Sequence, residues 1–240
     1  VSNNTLLEDL MCNNNQLTYL NMKNGVTDQL TLFFAFNNSL DCIEVNAEDV
    51  DWATEYWTSG NGNIDEGVSF SEICYVPGNP DITYIPDDNF EQALIDSSYD
   101  DVLDDYVLTA TISGVIELNV EYQQISDLTG IEDFMALSTL YCGGNQLTSL
   151  DVSANTALTT LYCSGNQLTS LDVSANTALT TLYCSGNQLT SLDVNGTTAL
   201  RDLYCYSNQL TSLDLSANTA LILLECYENQ LTSLDVSSNT

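Results

Sequence analysis

Cys142, Cys163, Cys184, Cys205 and Cys226 follow one another at a fixed interval of 21 residues, and Cys12 stands apart in a similar local setting. A period of this length builds a solenoid, because one coil can bury its apolar face only against the next. The pattern is clearest in LTTLYCSGNQLTSLDVSANTA, residues 158–178, which divides into an 11-residue and a 10-residue half. Leu158, Leu161, Cys163, Asn166 and Leu168 mark the first half, and Leu168, Leu171, Val173 and Asn176 the second.

Each half reads as a short strand followed by a turn. Alternation along LYC and LDV sends Leu161, Cys163, Leu171 and Val173 inward and Tyr162 and Asp172 outward. Asn145, Asn166, Asn187, Asn208 and Asn229, with Asn155, Asn176, Asn218 and Asn239 in the other half, fall at the turns. An amide that both donates and accepts can satisfy backbone groups left unpaired there.

On these residues the chain resembles a leucine-rich repeat protein of the nested 21-residue class sometimes called IRREKO, closely over 137–240 and more loosely over 6–40. The departures are Thr197 and Gly25, each standing where the pattern has Asn. The fold expected is mainly β: a leucine-rich repeat solenoid of 21-residue coils with small helical caps.

LLEDLMCNNNQLTYLNM, residues 6–22, fits the same frame, and Leu30, Phe33 and Asn38 begin another coil. Residues 1–40 are therefore read as the end of a first array. Residues 41–76 are its C-terminal cap, in which EDVDWATEYW forms a short helix with Val50, Ala53 and Trp57 near one face. A linker at 77–86 leads to a helical N-terminal cap at 87–114, whose helix starts at Asp87 or Asp88. Val115, Leu118, Val120 and Ile125 open a second array over 115–240, and SDLTGIEDFMAL resembles the turns of internalin-like repeats. VSNNT at 1–5 shares its phase with VSSNT at 236–240, so the expectation is a segment of a longer polypeptide in which arrays recur about every 235 residues.

The charge balance excludes some partners. With 34 acidic residues against Lys23 and Arg201, the net charge of −32 repels nucleic acid and anionic membranes. There is no apolar run of membrane-spanning length. The absence of histidine removes Ser-His-Asp and Cys-His nucleophilic sites, and a non-enzymatic role is expected.

In-register parallel strands hold equivalent Cβ atoms about 4.8 Å apart, whereas a disulfide needs about 3.8 Å. The ladder cysteines are therefore expected to be free and buried. Cys42 and Cys74 lie outside the ladder. They are either two buried thiols or a disulfide, and the disulfide is favoured because closing a loop of roughly 30 residues gains about 3 to 4 kcal/mol.

Three sets of exposed positions are candidates for binding. Tyr141, Tyr162, Tyr183 and Tyr204 form a stripe able to contact sugars or protein side chains, or a ladder that only stabilises its own sheet, the favoured reading. In the last two coils Asp202, Tyr206, Leu223, Glu225 and Tyr227 depart from the repeat near Arg201 and Glu228, as a recognition patch or as drift. Asp151, Asp172, Asp193, Asp214 and Asp235 bring like charges close together; hydrogen bonds from neighbouring Ser and Thr are the favoured compensation, and calcium the alternative. Asp100, Asp101, Asp104, Asp105, Asp65 and Glu66 are further calcium positions.

Resemblance to leucine-rich repeat surface proteins of Bacteroidetes, with their near-identical coils and PDDNFEQALI starts, implies a secreted or cell-surface location. The expected role is a structural or adhesive module of a tandem-repeat surface protein or fibre, with protein partners or self-association. A glycan-binding module and a calcium-dependent adhesin are the alternatives.

Overall fold

The computed structural model describes residues 6–23, 30–71, 74 and 82–239. The chain divides into two compact units, residues 1–79 and 80–240. The phase match at residues 1–5, the Gly25 departure and linker residues 77–81 lie outside the described residues.

In the first unit β1 (Asp9–Met11) and β2 (Leu32–Phe34) pair in parallel, Leu10 opposite Phe33. The frame does not stop at residue 40. Leu40, Ile43 and Val45 are buried in the positions that Leu168, Leu171 and Val173 hold in the clear coil, so the second coil is complete. Cys42 and Glu44, standing where the regular coils of residues 137–240 carry Ser and Asp, disguise this half in the sequence. Its strand β3 (Cys42–Glu44) is continued by the cap through β4 (Ser69–Ser71), which sets Phe70 opposite Ile43.

Between these strands runs α1 (Val50–Tyr56), whose Ala53 and following Trp57 enter the core. The Trp57 ring lies 4.2 Å from that of Phe33 and 5.9 Å from that of Phe70. Cys42 and Cys74 form a disulfide with Cα atoms 5.6 Å apart. Glu44, 2% exposed, accepts from the Tyr19 hydroxyl at 2.7 Å, Asn21 Nδ2 at 2.6 Å and the Cys74 N–H at 3.1 Å. One carboxylate thus ties the first coil to the cap.

The second unit opens on an antiparallel pair, β5 (Ile82–Tyr84) with β6 (Tyr106–Leu108). This corrects the linker reading of 82–86. Thr83 is buried and donates to Asp133 Oδ2 at 2.7 Å, and Ile85 is fully buried, so the stretch belongs to the cap. Gly130, at φ 99°, closes the covering turn, where an added Cβ would meet Tyr84 O at 2.8 Å.

Helix α2 (Asp88–Asp96) starts as the sequence indicates, with Asp87 Oδ1 accepting from Asn89 and Phe90 N–H. The other oxygen of Asp87 accepts from the Ser126 N–H and hydroxyl and the Asp127 N–H, joining the cap to the first coil. Burial pushes the Asp87 pKa up, but the bonds from Ser126, Phe90 and Asp127 outweigh it and leave the pKa lowered. A single turn, α3 (Thr109–Ile112), then feeds the array.

The array is a parallel sheet of six strands in chain order: β7 (Glu117–Asn119), β8 (Thr139–Tyr141), β9 (Thr160–Tyr162), β10 (Thr181–Tyr183), β11 (Asp202–Tyr204) and β12 (Leu223–Glu225). From β8 onward, partners are 21 residues apart. Leu161, Cys163, Leu171 and Val173 and their equivalents fill the interior, almost all of them buried until the last coil. The ladder cysteines are free, and burial pushes the thiols of Cys163 and Cys205 up to about 12. At neutral pH they are packing groups, not nucleophiles.

The second half differs from expectation. It forms no continuous second sheet, only bridges joining Asp151, Asp172 and Asp193. Asp172 Oδ1 accepts the Ser174 N–H at 2.9 Å, and its equivalents do the same, each carboxylate holding the turn that follows it.

The asparagines of the first half join neighbouring coils. Asn187 Oδ1 accepts from Leu168 N at 3.0 Å, while its Nδ2 donates to Cys163 O and Cys184 O at 3.0 and 3.1 Å. Asn166 and Asn208 repeat this one coil before and after. In the second half Asn176 Nδ2 reaches Val152 O and Asn155 O, but its buried oxygen accepts no protein hydrogen bond. At the Thr197 departure the hydroxyl turns to Val194 O, and Gly196 lets the backbone approach Ser174 where a Cβ would sit 2.6 Å from its carbonyl. The register of β10 with β11 is kept.

Asn187→Ala strands one N–H and leaves two buried carbonyls short of a donor, so the second unit should lose about 3 kcal/mol in urea unfolding. Thr198→Ala, outside the ladder, should lose less than about 0.5 kcal/mol.

Candidate functional site

A parallel strand of three residues turns one side chain inward and two outward, so the six-stranded sheet carries its distinctive chemistry on one face. The register sets Asn119, Tyr141, Tyr162, Tyr183, Tyr204 and Glu225 in one row across it. The four tyrosines stack at centroid distances of 4.6, 4.2 and 4.0 Å, with interplanar angles of 19°, 13° and 8°. Tyr206 and Tyr227, two residues further along the last two coils, stack at 4.5 Å and 5°. The aromatic surface therefore shifts one row sideways at the fourth tyrosine.

This geometry decides what the stripe can present. Rings of Tyr162 and Tyr183 are covered on both faces by their neighbours, so hydroxyls and ring edges point outward. A sugar stacking on an aromatic needs an open ring face, and only the end rings of each column have one. Interaction with the neighbouring Tyr204 hydroxyl, then burial and the nearness of Tyr162, push the Tyr183 pKa well up. At the far end, partial burial and then Glu117, Tyr162 and Glu121 raise that of Tyr141.

Tyr206 and Tyr227 come with a backbone cost. The turns of the three preceding coils use Gly144, Gly165 and Gly186 at positive φ, whereas the first coil places Tyr122 there at φ 58° and the last two place Ser207 and Glu228, each at φ 53°. A left-handed non-glycine residue costs on the order of 1 kcal/mol. The Ser207 hydroxyl donates to Glu228 Oε2, joining the two turns. Asp202 and Leu223 occupy the row before the tyrosines, and Glu225 continues the tyrosine row beyond Tyr204. Arg201 is exposed, one residue before the strand.

The aspartates stand on the other half of the coil, exposed. Oδ1 of Asp151, Asp172, Asp193, Asp214 and Asp235 each accepts the N–H two residues on, at 2.9 Å. Hydrogen bonds from the following serine, side chain first and backbone second, lower the pKa of Asp151, Asp172, Asp214 and Asp235. Shallow clefts of about 330 and 370 Å³ run beside the row, the first against Asp127 and Glu132 and the second past Ser149, Ser170 and Ser174.

Among the other acidic positions Asp65, Asp100 and Asp104 have structural partners. Asp65 caps the turn at Asn37 and Asn38 through both oxygens. Asp100 and Asp104 accept nearby backbone N–H groups, and Glu91, 1% exposed, holds the same loop through Asp104 N and Tyr106 N. Burial, and then Asp100 and Asp104, raise the Glu91 pKa despite those bonds. Among the described residues no group of three or more His, Cys, Asp or Glu side chains converges as a metal site would require.

Glu117 and Glu121 also face outward, flanking Asn119 at the start of the tyrosine row. The Glu121 carboxylate lies over Gly143, where an added Cβ would be 3.0 Å from its Oε1. Alternation about Leu118 and Val120 was the signal that could have found them.

A family model described as leucine-rich repeats in two copies matches residues 156–196. No curated protein sequence matches the chain. Among solved structures, an internalin, InlF, of Listeria monocytogenes is 24% identical over 65% of this chain and 46% of its own, with a TM-score of 0.57. The functional domain of InlJ from the same bacterium, described as including a cysteine ladder, is 28% identical over 66% of this chain and 50% of its own, with a TM-score of 0.35. A leucine-rich repeat protein of Leptospira interrogans is 19% identical over 96% of this chain and 45% of its own, with a TM-score of 0.45. The chain thus spans about half the length of each. The fold is a leucine-rich repeat solenoid.

Two titrations test these rows. Ser174→Ala should move the Asp172 pKa upward toward the ordinary aspartate value, read by carboxyl NMR. In the unaltered chain the stabilisation from these lowered aspartates is present above about pH 4 and is lost as pH falls through their folded values. Tyr183 has the opposite sign: its raised folded pKa stabilises below the ordinary tyrosine value near 10, and the melting temperature of the second unit should fall as pH rises beyond it.

Proposed function

We propose that this chain is a non-enzymatic module of an exported, cell-surface protein and that it binds protein partners through the tyrosine-bearing face of its six-stranded sheet. The observation that carries this is the change concentrated on that face in the last two coils. There the inward positions keep the repeat except for Leu215 in place of Val, while the outward ones gain Asp202, Tyr206, Leu223, Glu225 and Tyr227, with two left-handed non-glycine turns. Tyrosine supplies apolar area and a polar tip at little entropic cost, which suits protein recognition.

Leucine-rich repeat proteins generally mediate contacts between proteins, and the internalin structures fit that role. The Cys42–Cys74 disulfide supports an oxidising location outside the cytosol. No helix among the described residues is long and apolar enough to cross a membrane. The Bacteroidetes-like nested repeat class, and the adhesive tandem array it implies, belong to this reading. Closed ring faces disfavour the glycan alternative, and carboxylates already engaged by backbone N–H groups disfavour the calcium one.

A photoreactive benzoylphenylalanine at position 160, in the row beside the tyrosines, should give adducts with polypeptide in cells making the protein. The same group at position 170, exposed on the other half of the coil, should not. Equal yields at both positions, or carbohydrate adducts at 160, would contradict the proposal.

A further inference from the structure

The tyrosine column is closed by acids at both ends, and no lysine or arginine occupies an outward strand position anywhere on that sheet. At the β7 end, one face of Tyr141 is covered by Tyr162 and the other turns toward Asn119, an exposed residue whose Oδ1 is engaged by the Glu121 N–H at 3.1 Å. Glu117 and Glu121 stand on either side of that residue, and Gly143 leaves the space in which the Glu121 carboxylate lies. A ring face that no other ring covers, with a carboxylate on either side of its Asn119 neighbour, is an environment that a guanidinium or ammonium group prefers. At the β12 end Glu225 is the register partner of Tyr204, with Asp202 one row away.

Resting on the reading of this face as a protein-binding surface, we infer that its partner is a basic, extended polypeptide segment, seating one cationic side chain on Tyr141 between Glu117 and Glu121 and a second against Glu225. The spacing sets the length of the segment. From β7 to β12 are five strand intervals, about 24 Å at 4.8 Å each, which an extended chain spans in about seven residues at 3.4 Å each. Between the two cations the segment crosses the hydroxyl edges of the tyrosines, where side chains that donate and accept hydrogen bonds fit best. The chain's net charge draws any cation toward it, so the test must separate a seat from a general field.

The probe is a ten-residue peptide with arginine at positions 2 and 9 and serine, threonine or glycine elsewhere, titrated by calorimetry into the whole chain at two salt concentrations. Two triple variants remove the same number of charges from different places: E117Q/E121Q/E225Q from the sheet face, and D151N/D172N/D193N from the other half. The face variant should weaken binding about tenfold, and the other by less than about twofold, while both keep the circular dichroism of the parent. Equal weakening by both would reduce the attraction to net charge and overturn the inference. So would a peptide with glutamine for arginine that binds as well. If such a peptide binds equally while the adducts at position 160 persist, the cation seats are wrong and the binding face stands. Loss of the adducts removes both.

Discussion

A buried asparagine amide that spans two coils is the bond on which the rest of this molecule depends. Asn166, Asn187 and Asn208 each take an N–H from the preceding coil and return hydrogens to carbonyls of both. Turns inside a solenoid bury backbone groups that neither water nor a sheet can reach, and leaving them unpaired costs about 1 to 3 kcal/mol each. Satisfying them across the coil boundary also fixes the offset of each coil on the last. Once that offset is one repeat, every outward residue stands beside its own equivalent.

The two outward rows show opposite consequences. Tyrosines set side by side gain from stacking. Aspartates in the same position would repel, and each instead accepts the N–H two residues on. The second half has isolated bridges where the first has a sheet. Only one flat, regular face results, and it is the face on which the last two coils change.

Much of this was legible in the sequence because near-identical coils repeat every inward position. The leucine, cysteine and asparagine columns and the helix starting at Asp88 could all be read from spacing. The coil ending at Val45 could not, since Cys42 and Glu44 replace its familiar outer residues and its acid is buried for the cap. Ile82–Tyr84 read as a linker because its partner strand, Tyr106–Leu108, lies beyond a helix. Spacing placed the tyrosine rings in a stack about 4.8 Å apart, and they close further, to 4.6, 4.2 and 4.0 Å. That contact leaves the acids at the column ends as the distinctive chemistry of the face.

All of these addresses assume that the thiol and leucine columns form a dry interior. Alkylation of the native chain followed by mass spectrometry tests this most directly. Cys142, Cys163, Cys184 and Cys205 should stay unmodified until the second unit unfolds, while half-buried Cys12 and Cys226 react earlier. Modification of Cys163 and Cys184 in the folded protein, at the rate of Cys226, would contradict the account.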